Sequence, residues 1–252
     1  MENDSAQTTQ ILAGKTILVS GGSRGVGAAT AIQLARQGAT VAINYRDKVC
    51  RAEQVAAQVN ALGGEGEIVR ADLTDAESVS AKVADIKSRL GGIDVLILNA
   101  SGGLEKDAAP DYAMVLNRDA QVGMVKVALP VMNRGGRVVF VTSHLAHFHG
   151  EQPVLPEYEP VAASKKAGET ALRAMLPELQ AAGVSFVVVS GDLIDGTITP
   201  KLLDRMRPGM IQERRDQVGW LPTTEDFAAE IVTAASNTDL ADGDTVYVGS
   251  VD

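Results

Sequence analysis

The sequence predicts one doubly wound α/β domain, a seven-stranded parallel sheet with helices on both faces. Three observations carry that expectation. Seven short apolar runs alternate with longer amphipathic stretches, and a glycine-rich turn joins the first run to the first stretch. Apolar residues make up 45% of the 252 but aromatics only 4%, so Ala, Val and Leu fill the core. Small side chains allow close packing of helices on a parallel sheet, and the length suits one domain of that type.

The elements follow in order. Met1 to Ala13 are polar with no apolar period, so we expect a flexible tail before a single domain over 14–252. The apolar runs are Thr16–Val19, Thr40–Asn44, Glu67–Arg70, Val95–Leu98, Arg137–Val141, Ser185–Val189 and Thr245–Val248. They have the length and continuity of strands buried on both faces. Helical periodicity covers 25–37, 49–62, 76–89, 111–132, 160–182 and 224–236. Thr74 with Glu77 has the spacing of a capping box for the third helix, and Gly91-Gly92 ends it. Right-handed crossovers and a parallel sheet follow from this alternation. Residues 191–222 interrupt it with Gly, Pro and charged residues in a weakly helical excursion. The excursion leaves the carboxyl end of the sixth strand, where ligands bind in such folds, and we read it as a substrate lid.

Charge and cysteine content exclude several functions. Lys and Arg number 23 against 32 Asp and Glu, a net charge of −9. An acidic chain without a basic run repels nucleic-acid phosphates and anionic membranes. A lone Cys50 can form neither an internal disulfide nor a Cys-based zinc site. The first residues have no apolar core of a secretory signal, and no apolar run approaches the roughly 20 residues of a membrane span. A cytoplasmic protein is expected.

The strongest local signal is Ser20-Gly21-Gly22-Ser23-Arg24-Gly25-Val26-Gly27, between the first strand and first helix. Its spacing is G-x-x-x-G-x-G. Glycines there permit a tight turn and let the backbone approach a pyrophosphate seated on the helix N-terminus.

In this turn the chain resembles the short-chain dehydrogenase/reductases, and the resemblance runs through nearly all of it. Asp72-Leu73 looks like the family's adenine-contacting pair. Leu98-Asn99-Ala100-Ser101-Gly102 is similar to its N-N-A-G motif, with Leu98 and Ser101 as departures. Asn117, Ser143 and Ser164-Lys165 match the structural Asn, the catalytic Ser and the S-K of Y-x-x-S-K. The resemblance implies a Rossmann-type fold and a nicotinamide cofactor. It implies cofactor contacts from Gly21, Ser23, Arg24, Gly25, Val26, Gly27, Tyr45, Arg46, Asp72, Leu73, Asn99, Ala100, Ser101 and Lys165.

Charge selects between the two cofactors. The second strand ends in Asn44-Tyr45-Arg46, with no carboxylate until Asp47. A carboxylate there would accept from a ribose 2′-OH and repel a 2′-phosphate. Arg46 and Arg24, from neighbouring loops, would instead grip the phosphate, so NADP(H) is expected.

The resemblance implies hydride transfer to a carbonyl, as in a 3-oxoacyl reductase. A Ser hydroxyl would hold the oxygen, and a Tyr four residues before the Lys would protonate it. At that spacing the two share a helix face, and the ammonium lowers the phenol's pKa. The family's Asn is thought to anchor a proton-relay water. Here the position holds Val161, and the nearest phenol is Tyr158, seven residues before Lys165. Tyr158 either replaces the missing acid through a rearranged loop or packs at the helix entrance. His144, His147 and His149 share that loop. A metal site would need all three rings to converge, and surface or substrate-lining roles suit them better. His144, beside Ser143, is the second candidate acid.

Three function classes remain. The first is an NADP(H)-dependent oxidoreductase on a carbonyl or secondary alcohol, using Asn117, Ser143, Tyr158 and Lys165. The second is a nucleotide-binding homologue without redox activity, acting as a sensor or partner subunit. The third is a lyase or isomerase reusing the pocket. Retention of Asn117, Ser143, Lys165 and the glycine turn together favours the first. Helices 111–132 and 160–182 resemble those through which the family assembles. Ala162, Ala163, Ala167, Gly168 and Ala171 would permit close approach, so a homodimer or homotetramer is expected.

Overall fold

The computed structural model describes residues 10–105 and 108–251. Seven parallel strands form one sheet in the order β3-β2-β1-β4-β5-β6-β7. They are β1 Thr16–Val19, β2 Thr40–Tyr45, β3 Glu65–Arg70, β4 Ile93–Leu98, β5 Met132–Ser143, β6 Ser185–Gly191 and β7 Thr245–Val248. The predicted strands are all present, and several extend further than their apolar runs. β5 gains five residues at its start because Asn133 to Gly136 lie at the sheet margin, where apolar side chains are not required.

Helices α1 Gly25–Arg36, α2 Val49–Ala61 and α11 Thr224–Ser236 cover one face. Leu34, Val59 and Ile231 pack there against Ile17, Ile43 and Val187. On the other face lie α3 Ala76–Leu90, α5 Ala120–Ala128 and α7 Glu159–Ala174, where Ile86, Val125 and Leu172 meet Leu18, Leu96 and Phe186. Adjacent residues of each strand point to opposite faces, which is why the strands read as unbroken apolar runs.

Four expectations need correction. The stretch 111–132 is not one helix but α4 Tyr112–Met114, a π-helical turn Val115–Asp119, α5, and a 3₁₀ turn Leu129–Val131. Pro130, which has no N–H to donate, falls in the 3₁₀ turn. The stretch 160–182 breaks at Met175, ahead of Pro177 in the first turn of α8 Leu176–Ala182. The cap of α3 is Asp75, whose carboxylate accepts from the N–H groups of Glu77 and Ser78, while Thr74 donates to Asp72. The excursion after β6 is more regular than its composition suggests, forming α9 Ile198–Met206 and α10 Met210–Val218.

The expected tail lies largely outside the described residues, but Leu12 within it is buried, and its N–H donates to Gln37 O. The packed chain therefore reaches into that segment. A short helix α6, His144–His147, follows β5 directly. Among the described residues no helix is long and apolar enough to cross a membrane.

Candidate active site

The carboxyl ends of β1, β2, β4, β5 and β6 open into a cavity of about 1310 Å³. The glycine turn forms one wall. A Cβ on Gly27 would lie 2.5 Å from both Gly21 O and Asn99 Nδ2, and Gly21 and Gly25 have φ of +62° and +53°. Only glycine accepts those positions without strain. A Cβ on Gly25 would meet no atom within 4 Å, so the turn leaves open space on the cavity side. The turn thus leaves a cleft at the N-terminus of α1 that a side chain would fill. A cradle of this kind suits a dinucleotide pyrophosphate.

Two residues singled out for no role hold that cradle. Buried Ser20 Oγ accepts from the N–H groups of Asn99 and Ala100, at 2.9 and 3.0 Å. Buried Asn44 accepts from Gly21 N–H and donates to Val69 and Ala71 carbonyls. A polar residue ending an otherwise apolar strand was the available signal, because burial obliges such a group to find partners. Asn99 donates in turn to Ser20 and Gly21 carbonyls.

At the end beside β2 and β3 the cavity is lined by Arg24, Tyr45, Arg46, Asp47, Lys48, Arg51, Asp72 and Leu73. Lys48 and Arg51 add two cations to the expected pair. Helix α2 begins at Val49, which places both near the mouth of the cavity. Asp72 is committed to a local turn, accepting from the N–H and hydroxyl of Thr74. Arg46 is already engaged, donating through Nε to Asp47 and through Nη1 to Tyr112 Oη, both at 2.7 Å. These partners hold its guanidinium protonated to a pH even higher than usual. Ser101 lies exposed at the cavity edge, beside Ala100.

At the other end, Tyr158 Oη lies 3.4 Å from Ser143 Oγ. Tyr158 caps α7, with helix-like backbone angles of −95° and −12°. Seven residues are close to two full turns, so Tyr158 and Lys165 share a helix face. Both line the cavity, with Val161 between them. Tyr158 is also packed, in a cluster with Ala146, Val161, Ala162 and Leu203. Its hydroxyl thus faces Ser143 while its ring packs at the helix entrance. Burial raises its pKa, against a smaller lowering by Ser143. Burial alone pushes Lys165 down to about 8.

Asn117 stands in the π-helical turn. Its amide donates to Gly102 O and Ser164 Oγ, and its carbonyl oxygen accepts from Gly102 N–H. The side chain is spent on tying the loop after β4 to α7. Gly168 permits this approach, since a Cβ there would lie 2.1 Å from Asn117 O. Gly168 and Ala162 thus pack inside the chain, not on a surface available to a second copy.

The three histidines diverge. His144 Nδ1 pairs with Ser190 Oγ, His147 with Glu169 and Tyr247, and His149 with Glu159. Burial pushes His144 down to about 4, so it is neutral at physiological pH and holds no proton to spare as an imidazolium. The excursion is anchored by a carboxylate–guanidinium pair, Arg214 of α10 on Asp192 after β6, at 2.8 Å. Sequence reasoning passed over it because the partners lie 22 residues apart without a motif.

Comparison with known proteins bears on this geometry. The profile of the short chain dehydrogenase family matches residues 15–206. The chain is 32% identical over 225 residues to 1-cyclohexenylcarbonyl-CoA reductase of Streptomyces collinus, covering 81% of this chain and 79% of that protein. It is 33% identical over 170 residues to versicolorin reductase 1 of Aspergillus parasiticus, covering 65% and 63%. Among solved structures, a short chain dehydrogenase of Burkholderia cenocepacia in complex with NADP superposes with a TM-score of 0.82. Identity there is 28%, over 95% of this chain and 98% of that one.

Proposed function

This chain belongs to the short-chain dehydrogenase family, and from that premise we propose that it is an NADP(H)-dependent reductase of ketones with apolar flanks. The observation that carries the reading is the approach of Tyr158 Oη to Ser143 Oγ in the cavity wall that also bears Lys165. The cofactor would supply hydride to the carbonyl carbon. Ser143 donates a hydrogen bond to the carbonyl oxygen, and Tyr158 delivers the proton as that oxygen becomes an alkoxide. Lys165 would hold the cofactor ribose and add positive charge to that wall. Asn117 keeps the loop after β4 and the start of α7 in register, so Ser143 and Tyr158 meet the same oxygen.

Four cations near the adenosine end, Arg24, Arg46, Lys48 and Arg51, support NADP(H) over NAD(H). They face the two carboxylates Asp47 and Asp72. Leu104, Leu145, Val154, Leu155, Leu193 and Met210 pack around the Tyr158 cluster, which supports an apolar substrate. Two relatives are named as reductases, of 1-cyclohexenylcarbonyl-CoA and of versicolorin, which supports reduction as the reaction. Residues 191–222 serve as the lid over that end, hinged on the Arg214–Asp192 pair. We also propose a homodimer or homotetramer, which light scattering at micromolar concentration would test; a monomer would reject it.

The test of the main reading is direct. Purified protein with NADPH and a panel of cyclic, aromatic and 3-oxoacyl ketones is followed by loss of reduced-cofactor absorbance. Turnover of at least one panel member is expected. Binding of NADPH with no turnover of any ketone would leave the sensor class and the lyase or isomerase class instead.

A further inference from the structure

Tyr112 and Arg46 come from elements 66 residues apart, yet the phenol oxygen of one accepts from Nη1 of the other at 2.7 Å. Both line the cavity, Arg46 at the end of β2 and Tyr112 at the start of α4. An exposed arginine has many rotamers, and fixing it costs up to about 2 kcal/mol of side-chain entropy. Here two of its three nitrogens are held, Nε by Asp47 and Nη1 by Tyr112. Nη2 has no hydrogen bond to any described residue, and Arg70 Nε supports the loop by donating to Arg46 O. An arginine held this way presents its remaining N–H groups to the cavity without first paying that entropy. The partners also differ in kind. Asp47 would repel a phosphate, whereas the Tyr112 hydroxyl can donate to one.

We infer that Tyr112 is a specificity-determining positioning residue, holding Arg46 across the mouth of the adenosine pocket to receive the cofactor 2′-phosphate. The inference rests on the NADP(H) reading above. It adds a residue on the far side of the cavity, reached from neither the glycine turn nor the end of β2. It also links the two ends of the site, because the π-helical turn that follows α4 carries Asn117.

The test measures dissociation constants for NADPH and NADH by fluorescence titration of the wild type, Tyr112→Phe, Arg46→Ala and the double variant. Phe keeps the ring and removes only the hydroxyl, and an unchanged thermal midpoint would confirm that the fold is intact. Tyr112→Phe should weaken NADPH by about three- to tenfold, the net range of one ordinary hydrogen bond, and leave NADH unchanged. In the Arg46→Ala background the same change should have little further effect, since the positioned group is gone. Three results would overturn the inference. Equal weakening of both cofactors would make Tyr112 an adenine or ribose contact. An unchanged NADPH affinity in Tyr112→Phe, with Arg46→Ala losing its selectivity, would remove Tyr112 but keep the cofactor reading. Loss of selectivity in neither single variant would reject both.

Discussion

The hydroxyl of Tyr158 stands 3.4 Å from that of Ser143, although the two lie 15 positions apart in the chain and a phenol is missing from position 161. Tyr158 lies three residues further from Lys165 than position 161 would, about 4.5 Å along the helix axis. A phenol acting from Tyr158 would stand one turn up the helix from position 161, with its partner Ser143 still at the end of β5. Tyr158→Phe should therefore lower ketone turnover by about 100- to 10,000-fold, the usual contribution of a positioned acid. NADPH affinity should stay within twofold or so, because Phe fills the same volume. Steady-state assays and cofactor titration on one preparation would check both; an unaffected turnover would transfer the role elsewhere.

The same displacement has a pH signature. Burial raises the Tyr158 pKa, so its proton stays on through neutral pH. Reduction, which uses the phenol, should hold level from pH 6 towards 9. Alcohol oxidation, which uses the phenolate, should climb about tenfold per pH unit across the same range. Lys165 moves the other way, since burial pushes it down to about 8 and its charge is lost as pH rises past that value. NADPH binding should weaken above about pH 8 in the wild type, and Lys165→Met should abolish that dependence. An oxidation rate already level at pH 7 would mean that a cation does reach the phenol.

Val161→Tyr tests whether the two positions are interchangeable. Val161 packs against Gly103 but also lines the cavity, so a larger ring has a direction in which to project. Placed in Tyr158→Phe protein, Val161→Tyr should recover at least about tenfold of the lost turnover, with i and i+4 pairing to Lys165 restored. Its oxidation profile should level off at lower pH than the wild type's, because the ammonium stabilises the phenolate. No recovery, in a variant that still binds NADPH, would show that Ser143 is within reach only from the Tyr158 turn.

His144 provides a stability test. Burial depresses its pKa to about 4, from an ordinary 6.5. Between those values the unfolded chain takes up a proton that the native state refuses, so stability falls as pH drops through this window. The slope from one such group is at most about 1.4 kcal/mol per pH unit. His144→Asn should flatten the acid side of the stability curve between pH 6.5 and 4, read by urea unfolding, even if it costs stability at pH 7. Parallel curves for the two proteins would contradict the burial argument.

What the sequence alone determined is the part of the molecule governed by short-range rules. Strand after strand was legible from runs such as Val95–Leu98, because a strand buried on both faces must be apolar throughout. The glycine turn was legible because Gly21, Gly25 and Gly27 answer to backbone angles and close approach within seven residues. The absence of a phenol at 161 could be counted directly. Only the tertiary structure decided which phenol lies beside Ser143. The pairs Ser143–Tyr158, His144–Ser190 and Arg46–Tyr112 span 15, 46 and 66 residues. No local period records such meetings. They depend on how a loop returns to the sheet and on which buried polar groups then find each other, since each buried donor or acceptor must be satisfied by whatever the fold brings beside it. Ser20 and Asn44 passed as strand-end residues until burial showed what they hold. Asp75 took the cap from Thr74 because the chain enters α3 one residue later than the capping-box spacing implied.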